Sequence, residues 1–153
     1  HIFNDFIVGK AIDSLIIGII AFIVLTVMKA PFPLILSLII GVTNMIPYFG
    51  PFIGAIPAIL ITLLIDPPLA IAVSIFILIL QQIEGNLIYP HVVGNSVGLP
   101  SIWVLVAVTI GGNLMGIVGM LIFIPICSVA YVLLKEIVEK RLPVKEENQP
   151  EED

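Results

Sequence analysis

Formal charge is almost absent from residue 13 to residue 135, and this limits the possible folds more than any other feature. Between Asp13 and Lys135 the charged residues are Lys29, Asp66 and Glu84. Charged residues make up 11% of the whole chain and hydrophobic residues 59%, whereas a soluble domain carries about 25% charged residues. A soluble core cannot bury so many apolar side chains, but lipid tolerates them. The sequence therefore predicts an all-α, polytopic transmembrane protein.

The net charge of −5 belongs to the end of the chain, because residues 146–153 hold five acids. Their low hydrophobicity is typical of a solvated segment. We expect residues 1–138 to form a partial transmembrane domain and residues 139–153 an acidic, disordered cytoplasmic tail. Because the chain opens on His1, we also expect earlier spans to be missing, which would make it the carboxy-terminal half of a longer protein.

The apolar runs predict one long helix, two broken pairs and one further crossing. The long helix covers residues 2–28. The first pair covers 32–46 and 52–65, and the second covers 101–115 and 117–134. Runs of about 20 Å are shorter than the roughly 30 Å hydrocarbon core, which suggests broken or re-entrant helices. The crossing between the pairs covers residues 69–83.

Basic residues indicate the orientation. If both chain ends lie on one side, that side holds five cations, and Lys29 alone lies opposite. The excess favours both termini in the cytoplasm, with the protein in the inner (plasma) membrane.

The first break, Thr43 to Pro57, is a candidate transport element. Its three prolines and two glycines interrupt the helix, and a broken helix at membrane depth needs protein or water around it. Transporters direct such helix ends at a substrate, so Asn44, Tyr48 and the carbonyls near Pro47 and Gly50 are candidate ligands. The alternative is a kink in which Gly50 and Gly54 only allow close packing.

Glu84 is the second candidate, because an acid within the membrane is costly and usually functional. Helical spacing predicts that Gln81 contacts Glu84 and that Gln82 contacts Asn86. The carboxylate could carry a proton, bind a cation or act as a gate. Alternatively, the helix has reached the interface at this point and Glu84 is simply hydrated.

Lys10, Asp13 and Ser14 share one face of the first helix. They form either an interfacial amphipathic stretch or a polar strip facing a pore.

A third polar break, GGNLMGIVG, adds Gly112 and Asn113 and could repeat the first one. His91 has no second histidine or cysteine at ligand spacing, so no metal site is expected. Tyr89 and Trp103 fit an aromatic belt at the membrane interface. The sequence shows no enzymatic constellation, no phosphate loop and no basic patch for nucleic acid.

Four strings carry a family resemblance: IPYFGPFIGAIPA, QQIEGNLIYP, VGLPSIWVL and GGNLMGIVGMLIFIP. In these strings the chain resembles the autoinducer-2 exporter (AI-2E) family. The resemblance implies a helical, homo-oligomeric transporter without a cofactor that exports the quorum-sensing signal or related small molecules. Some members are linked to sodium or lithium exchange for protons, which leaves a cation/proton antiporter as the alternative. Many relatives carry a basic residue where His91 stands.

The sequence thus predicts a membrane transporter that acts on a small molecule or ion in the bilayer. The residues expected in the substrate path or gate are Asn44, Pro47, Tyr48, Gly50, Pro51, Gly54, Gln81, Gln82, Glu84, Asn86, Gly112 and Asn113.

Overall fold

The computed structural model describes residues 1–94 and 99–141, and these residues form helices and no strand. The helices are α1 (Ile2–Val27), α2 (Pro33–Thr43), α3 (Gly50–Ile65), α4 (Pro67–Ile83), α5 (Tyr89–Val92) and α6 (Ser101–Arg141). A π-helical turn, Glu84–Ile88, joins α4 to α5. The predicted all-α class is confirmed. Residues 139–141 belong to α6, so the expected tail begins inside a helix; residues 142–153 lie outside the described ranges.

Large apolar side chains cover the outside of this fold. Leu15, Leu64, Leu78 and Leu114, for example, are between 64% and 86% exposed. Three segments are long and apolar enough to cross a membrane: Ile2–Val27, Pro67–Val92 and Ser101–Arg141. Because lipid is the solvent that accommodates such a surface, the fold is that of a multi-pass membrane protein.

α6 is a hairpin and not one straight helix. Its backbone leaves helical geometry at Met115 and at Gly116, where φ is 62°. A Cβ at Gly111 would lie 2.7 Å from the carbonyl carbon of Gly119, whereas eight residues of straight helix span about 12 Å. The chain therefore folds back into two arms, residues 101–114 and 117–141, which confirms the break predicted there.

α2 and α3 form a second hairpin, with 11 and 16 residues. At 1.5 Å per residue they are about 17 and 24 Å long, short of the roughly 30 Å apolar core. Gly50 closes the hairpin, because a Cβ there would lie 2.8 Å from the carbonyl carbon of Thr43. The close glycine contact considered from the sequence is thus present. Residues 44–49 form the break, with Tyr48 in the left-handed region at φ 63°.

α1 runs antiparallel to α2 and lies between two apolar cores. Gly18 contacts Gly41, and Asp13 contacts Asn44, the residue that follows the end of α2. The larger core contains Ile17, Ala21, Leu25, Leu36, Ile40, Ala58, Val73, Ile77 and Leu80. The smaller contains Phe6, Val93, Ala107, Val108 and Ile124. Residues 10–14 of α1 lie between the two cores.

Candidate functional site

The polar strip of α1 lies inside the protein. Lys10 is 4% exposed, Asp13 is fully buried and Ser14 is 6% exposed. The interfacial interpretation of this strip is therefore wrong, because α2 and the π-helical turn cover the face that carries it.

Four buried side chains from three parts of the chain meet at this strip. The Lys10 ammonium donates to Oδ2 of Asp13 at 2.8 Å and to Oε1 of Glu84 at 3.4 Å. The Asn44 amide donates to the same two oxygens, at 3.1 Å and 3.3 Å. We call Lys10, Asp13, Asn44 and Glu84 the polar cluster. Its two carboxylates share both donors, so they are close neighbours within the membrane domain.

Glu84 is 7% exposed, so the alternative in which it is a hydrated interfacial acid is wrong. Its partners also differ from the expected ones. Glu84 accepts from Lys10 and Asn44, and the structure shows no hydrogen bond to it from Gln81. Gln82 and Asn86 do contact each other, since the Asn86 amide donates to the Gln82 backbone carbonyl at 2.8 Å. That pair is exposed and separate from the polar cluster.

The polar cluster is short of positive charge and of donors. With both acids ionised, one lysine leaves it with a net charge of −1. Among the described residues, Oδ1 of Asp13, Oδ1 of Asn44 and the Ser14 hydroxyl are buried and have no hydrogen-bond partner. Buried polar atoms are usually paired because leaving them unpaired costs free energy. The cluster can therefore accept a further cation, proton or hydrogen-bonding group.

The break after α2 places Asn44. The helix ends at Thr43, and the Asn44 N–H still donates to the Ile40 carbonyl at 3.1 Å. Pro47, directly before the left-handed Tyr48, is buried, and its carbonyl accepts from the Phe49 N–H at 2.7 Å. The chain turns here, so Asn44 stays against α1.

The other residues predicted in this break lie outside the polar cluster. Pro51 lies in the first turn of α3, a position where a missing N–H costs little. Gly50 and Gly54 contact α2. The Tyr48 side chain is 47% exposed. Of the candidates in the first break, the structure brings Asn44 alone into the polar cluster.

The π-helical turn places Glu84 and Tyr89 together. The Tyr89 N–H donates to the Glu84 carbonyl, the bond between residues five apart that defines a π-helix. The ring centroid of Tyr89 lies 5.2 Å from the Lys10 ammonium. Tyr89 therefore adjoins the polar cluster; its assignment to an aromatic belt at the membrane interface stays a prediction.

The third break does not contribute to the cluster. Asn113 is exposed, and its amide donates to the Thr109 carbonyl at 2.8 Å. A Cβ at Gly112 would meet the end of the Met120 side chain. The two hairpins resemble each other in their glycine contacts, but Asn44 is buried against charge and Asn113 is not.

A groove leads towards the cluster. It lies between α1 and α2, has a volume of about 410 Å³ and is lined mainly by apolar side chains, together with Ser14, Gly18, Ser37 and Gly41. Ser14 follows Asp13 in the chain, and its unpaired hydroxyl is the polar group at the cluster end of the groove.

Sequence comparison identifies the family. The model of the AI-2E family of transporters matches residues 1–139. The chain belongs to the AI-2E family. It is 44% identical over 138 residues to YrrI of Bacillus subtilis, covering 90% of this chain and 39% of YrrI. It is 32% identical over 130 residues to YueF of the same organism, covering 85% of this chain and 35% of YueF. Both relatives carry the name "Putative transport protein".

The AI-2 transport protein TqsA of Escherichia coli is a more distant relative. The identity is 28% over 134 residues, covering 87% of this chain and 39% of TqsA. The chain thus spans about two fifths of the length of these curated relatives. No solved structure matches it significantly. Family membership and the apolar helices together make the chain part of a multi-pass membrane transporter.

Proposed function

We propose that this AI-2E protein exports a small polar organic molecule such as autoinducer-2, and that the polar cluster couples or gates the movement. The observation that supports this most is the burial of Lys10, Asp13, Asn44 and Glu84 between α1, the first break and the π-helical turn. A buried ionic network at membrane depth is costly. A transporter can use such a network, because its charged groups can change partners during the transport cycle.

The chemistry of the cluster suits a polar solute. Hydroxyl or carbonyl groups on the solute can accept from the Asn44 amide, and its hydroxyl groups can donate to the unpaired oxygens of Asp13 and Asn44. Such a solute would replace Asn44 as the bridge between the carboxylates. Because Asn44 lies at the end of α2, its release would free the α2–α3 hairpin to move relative to α1.

Flux of autoinducer-2 tests this proposal directly. The complete protein is placed in inside-out vesicles, and accumulation of labelled autoinducer-2 is followed for the native protein and for Glu84→Gln. The variant keeps the shape of the side chain and removes its charge, so we expect accumulation to fall to background. The matched control is Glu139→Gln. The Glu139 side chain is 63% exposed, and its ion pair with Lys135 is long at 3.9 Å and lies on the surface.

Two results would count against the proposal. No accumulation by correctly assembled native protein, in tight vesicles, would remove autoinducer-2 as substrate. Normal accumulation by Glu84→Gln would remove the Glu84 charge from coupling and gating.

A cation/proton antiporter is the second candidate, and the electrostatics of the cluster favour it independently. The cluster carries a net charge of −1 with both acids ionised. Two of its buried oxygens, on Asp13 and Asn44, have no hydrogen-bond partner among the described residues, and neither has the adjacent Ser14 hydroxyl, so oxygen atoms are available for a small monovalent cation. Sodium-driven pH changes inside sealed vesicles discriminate the two functions. An antiporter gives a sodium-dependent pH change without any organic solute, and Asp13→Asn should abolish it. An exporter of neutral molecules gives none.

A further inference from the structure

The π-helical turn Glu84–Ile88 lies inside a segment long enough to cross the membrane. Such turns are rare, and they occur frequently at functional sites. In the π-helical turn, Glu84 and Tyr89 are one turn apart, because the Tyr89 N–H bonds to the Glu84 carbonyl. Both residues consequently face α1.

An α-helical path would separate these two side chains. With 3.6 residues per turn, residues five apart differ by about 140° around the axis. If Glu84 kept its contact with Lys10, Tyr89 would turn away from α1. The wider turn is therefore what allows one ammonium to contact a carboxylate and an aromatic ring on the same segment.

We propose that Tyr89 is a positioning residue for the polar cluster, acting through Lys10. Its ring lies 5.2 Å from the ammonium, within the range of a cation–π interaction. The ring holds the Lys10 ammonium between Asp13 and Glu84, and the π-helical turn places the ring beside Lys10. The effect on transport rests on the proposed function, whereas the effect on cluster stability does not.

The geometry explains why Lys10 needs a third contact. The ammonium lies closer to Asp13, at 2.8 Å, than to Glu84, at 3.4 Å, and it ends a flexible four-carbon chain. Asp13 is on the same helix three residues away, so this pair can form without α4. Contact with the Tyr89 ring draws the ammonium towards the segment that carries Glu84. The ring thereby stabilises the longer ion pair, between Lys10 and Glu84.

A double-mutant cycle in the purified complete protein separates positioning from packing. Thermal unfolding midpoints in detergent are measured for the native protein, Lys10→Met, Tyr89→Leu and the double variant. We expect Tyr89→Leu to lower the unfolding midpoint of the native protein. In the Lys10→Met background the same change should lower the midpoint very little further, because the ring then has no cation to contact. An equal effect of Tyr89→Leu in both backgrounds would show a packing role and overturn the proposal. Gel filtration confirms that each variant is assembled.

Conservative variants complete the test. Tyr89→Phe keeps the ring, so its flux should stay within about twofold of native, while Tyr89→Leu should lose about tenfold. Gly85→Ala is the control within the π-helical turn, because a Cβ at Gly85 meets nothing within 4 Å, and it should change neither flux nor the unfolding midpoint.

The outcomes distinguish the two proposals. If native protein moves no autoinducer-2, the export proposal fails and the unfolding cycle still decides the role of Tyr89. If Tyr89→Phe behaves like Tyr89→Leu, the cation–π contact is excluded.

Discussion

Asn44 is a neutral side chain that holds two acids together, because one amide nitrogen contacts Oδ2 of Asp13 and Oε1 of Glu84. Hydrogen bonds to charged groups contribute about 1.5–3 kcal/mol each. Asn44→Ala should therefore destabilise the protein by about 2 kcal/mol or more and reduce flux severely. Unfolding midpoints and vesicle accumulation measure the two effects. Asn113→Ala is the matched control and should change neither, since Asn113 is exposed.

Lys10 is the cation of the polar cluster, so its removal should be among the most damaging changes in the chain. Lys10→Met leaves two neighbouring carboxylates without their counter-ion, and breaking a buried pair in this way costs about 3–5 kcal/mol. The double variant Lys10→Met/Glu84→Gln restores the original net charge of the cluster. We expect it to recover most of the lost unfolding midpoint; a double variant as unstable as Lys10→Met would contradict the charge argument.

At the scale of residues, the sequence located part of the site. Asn44 and Glu84 were recognisable because polar side chains are rare at membrane depth. Their partners were not, since Asn44 lies 31 residues from Asp13 and Lys10 lies 74 residues from Glu84. Lys10 and Asp13 carried a usable signal, an opposite-charge pair three residues apart on an apolar helix. The contact between Tyr89 and Lys10 was not predictable, because α-helical spacing does not apply across a π-helical turn.

At the scale of elements, glycine contacts determine whether each hairpin can close. A Cβ at Gly50 would meet the Thr43 carbonyl carbon at 2.8 Å, and backbone cannot move aside as a flexible side chain can. Gly50→Ala should therefore force α2 and α3 apart, displace Asn44 and reduce flux together with the unfolding midpoint. Gly85→Ala adds the same methyl group in open space and should be tolerated. Equal behaviour of the two variants would show that the hairpin does not depend on close contact.

The elements themselves were largely predictable. Proline and glycine mark both breaks, and the predicted limits of α1, 2–28, nearly match Ile2–Val27. The predicted second pair, 101–115 and 117–134, likewise leaves the bend at Gly116, where the backbone departs from helical geometry. The decisive contact, between Gly111 and Gly119, is tertiary. The expectation that the short helices are re-entrant stays a prediction.

At the scale of the whole molecule, each of the two hairpins is expected to begin and end on the same side of the protein. Asp66, at the end of α3, is expected on the side of Lys29, and Arg141 on the side of Ser101, because the helices within each hairpin are antiparallel. α1 and the segment Pro67–Val92 are each long and apolar enough to cross between these sides. This arrangement is compatible with the orientation predicted from charge, in which both termini face the cytoplasm.

Cysteine labelling tests the orientation in the complete protein. In a Cys127→Ser background, Lys140→Cys should react with an impermeant maleimide in inside-out vesicles and stay protected in intact cells. Lys29→Cys should show the opposite pattern, because α1 separates the two sides. Reaction of both positions from the same side would contradict the orientation and, with it, the assignment of the basic end to the cytoplasm.

The order of Lys10 and Glu84 along the chain has a consequence for biosynthesis. The ammonium lies on α1 and the carboxylate 74 residues later, so the ribosome makes the cation first. α1 can enter the bilayer with Lys10 already paired to Asp13, one turn away. When Glu84 follows, its counter-ion is already in place. α1 can thus act as an internal template on which the later charged span is inserted.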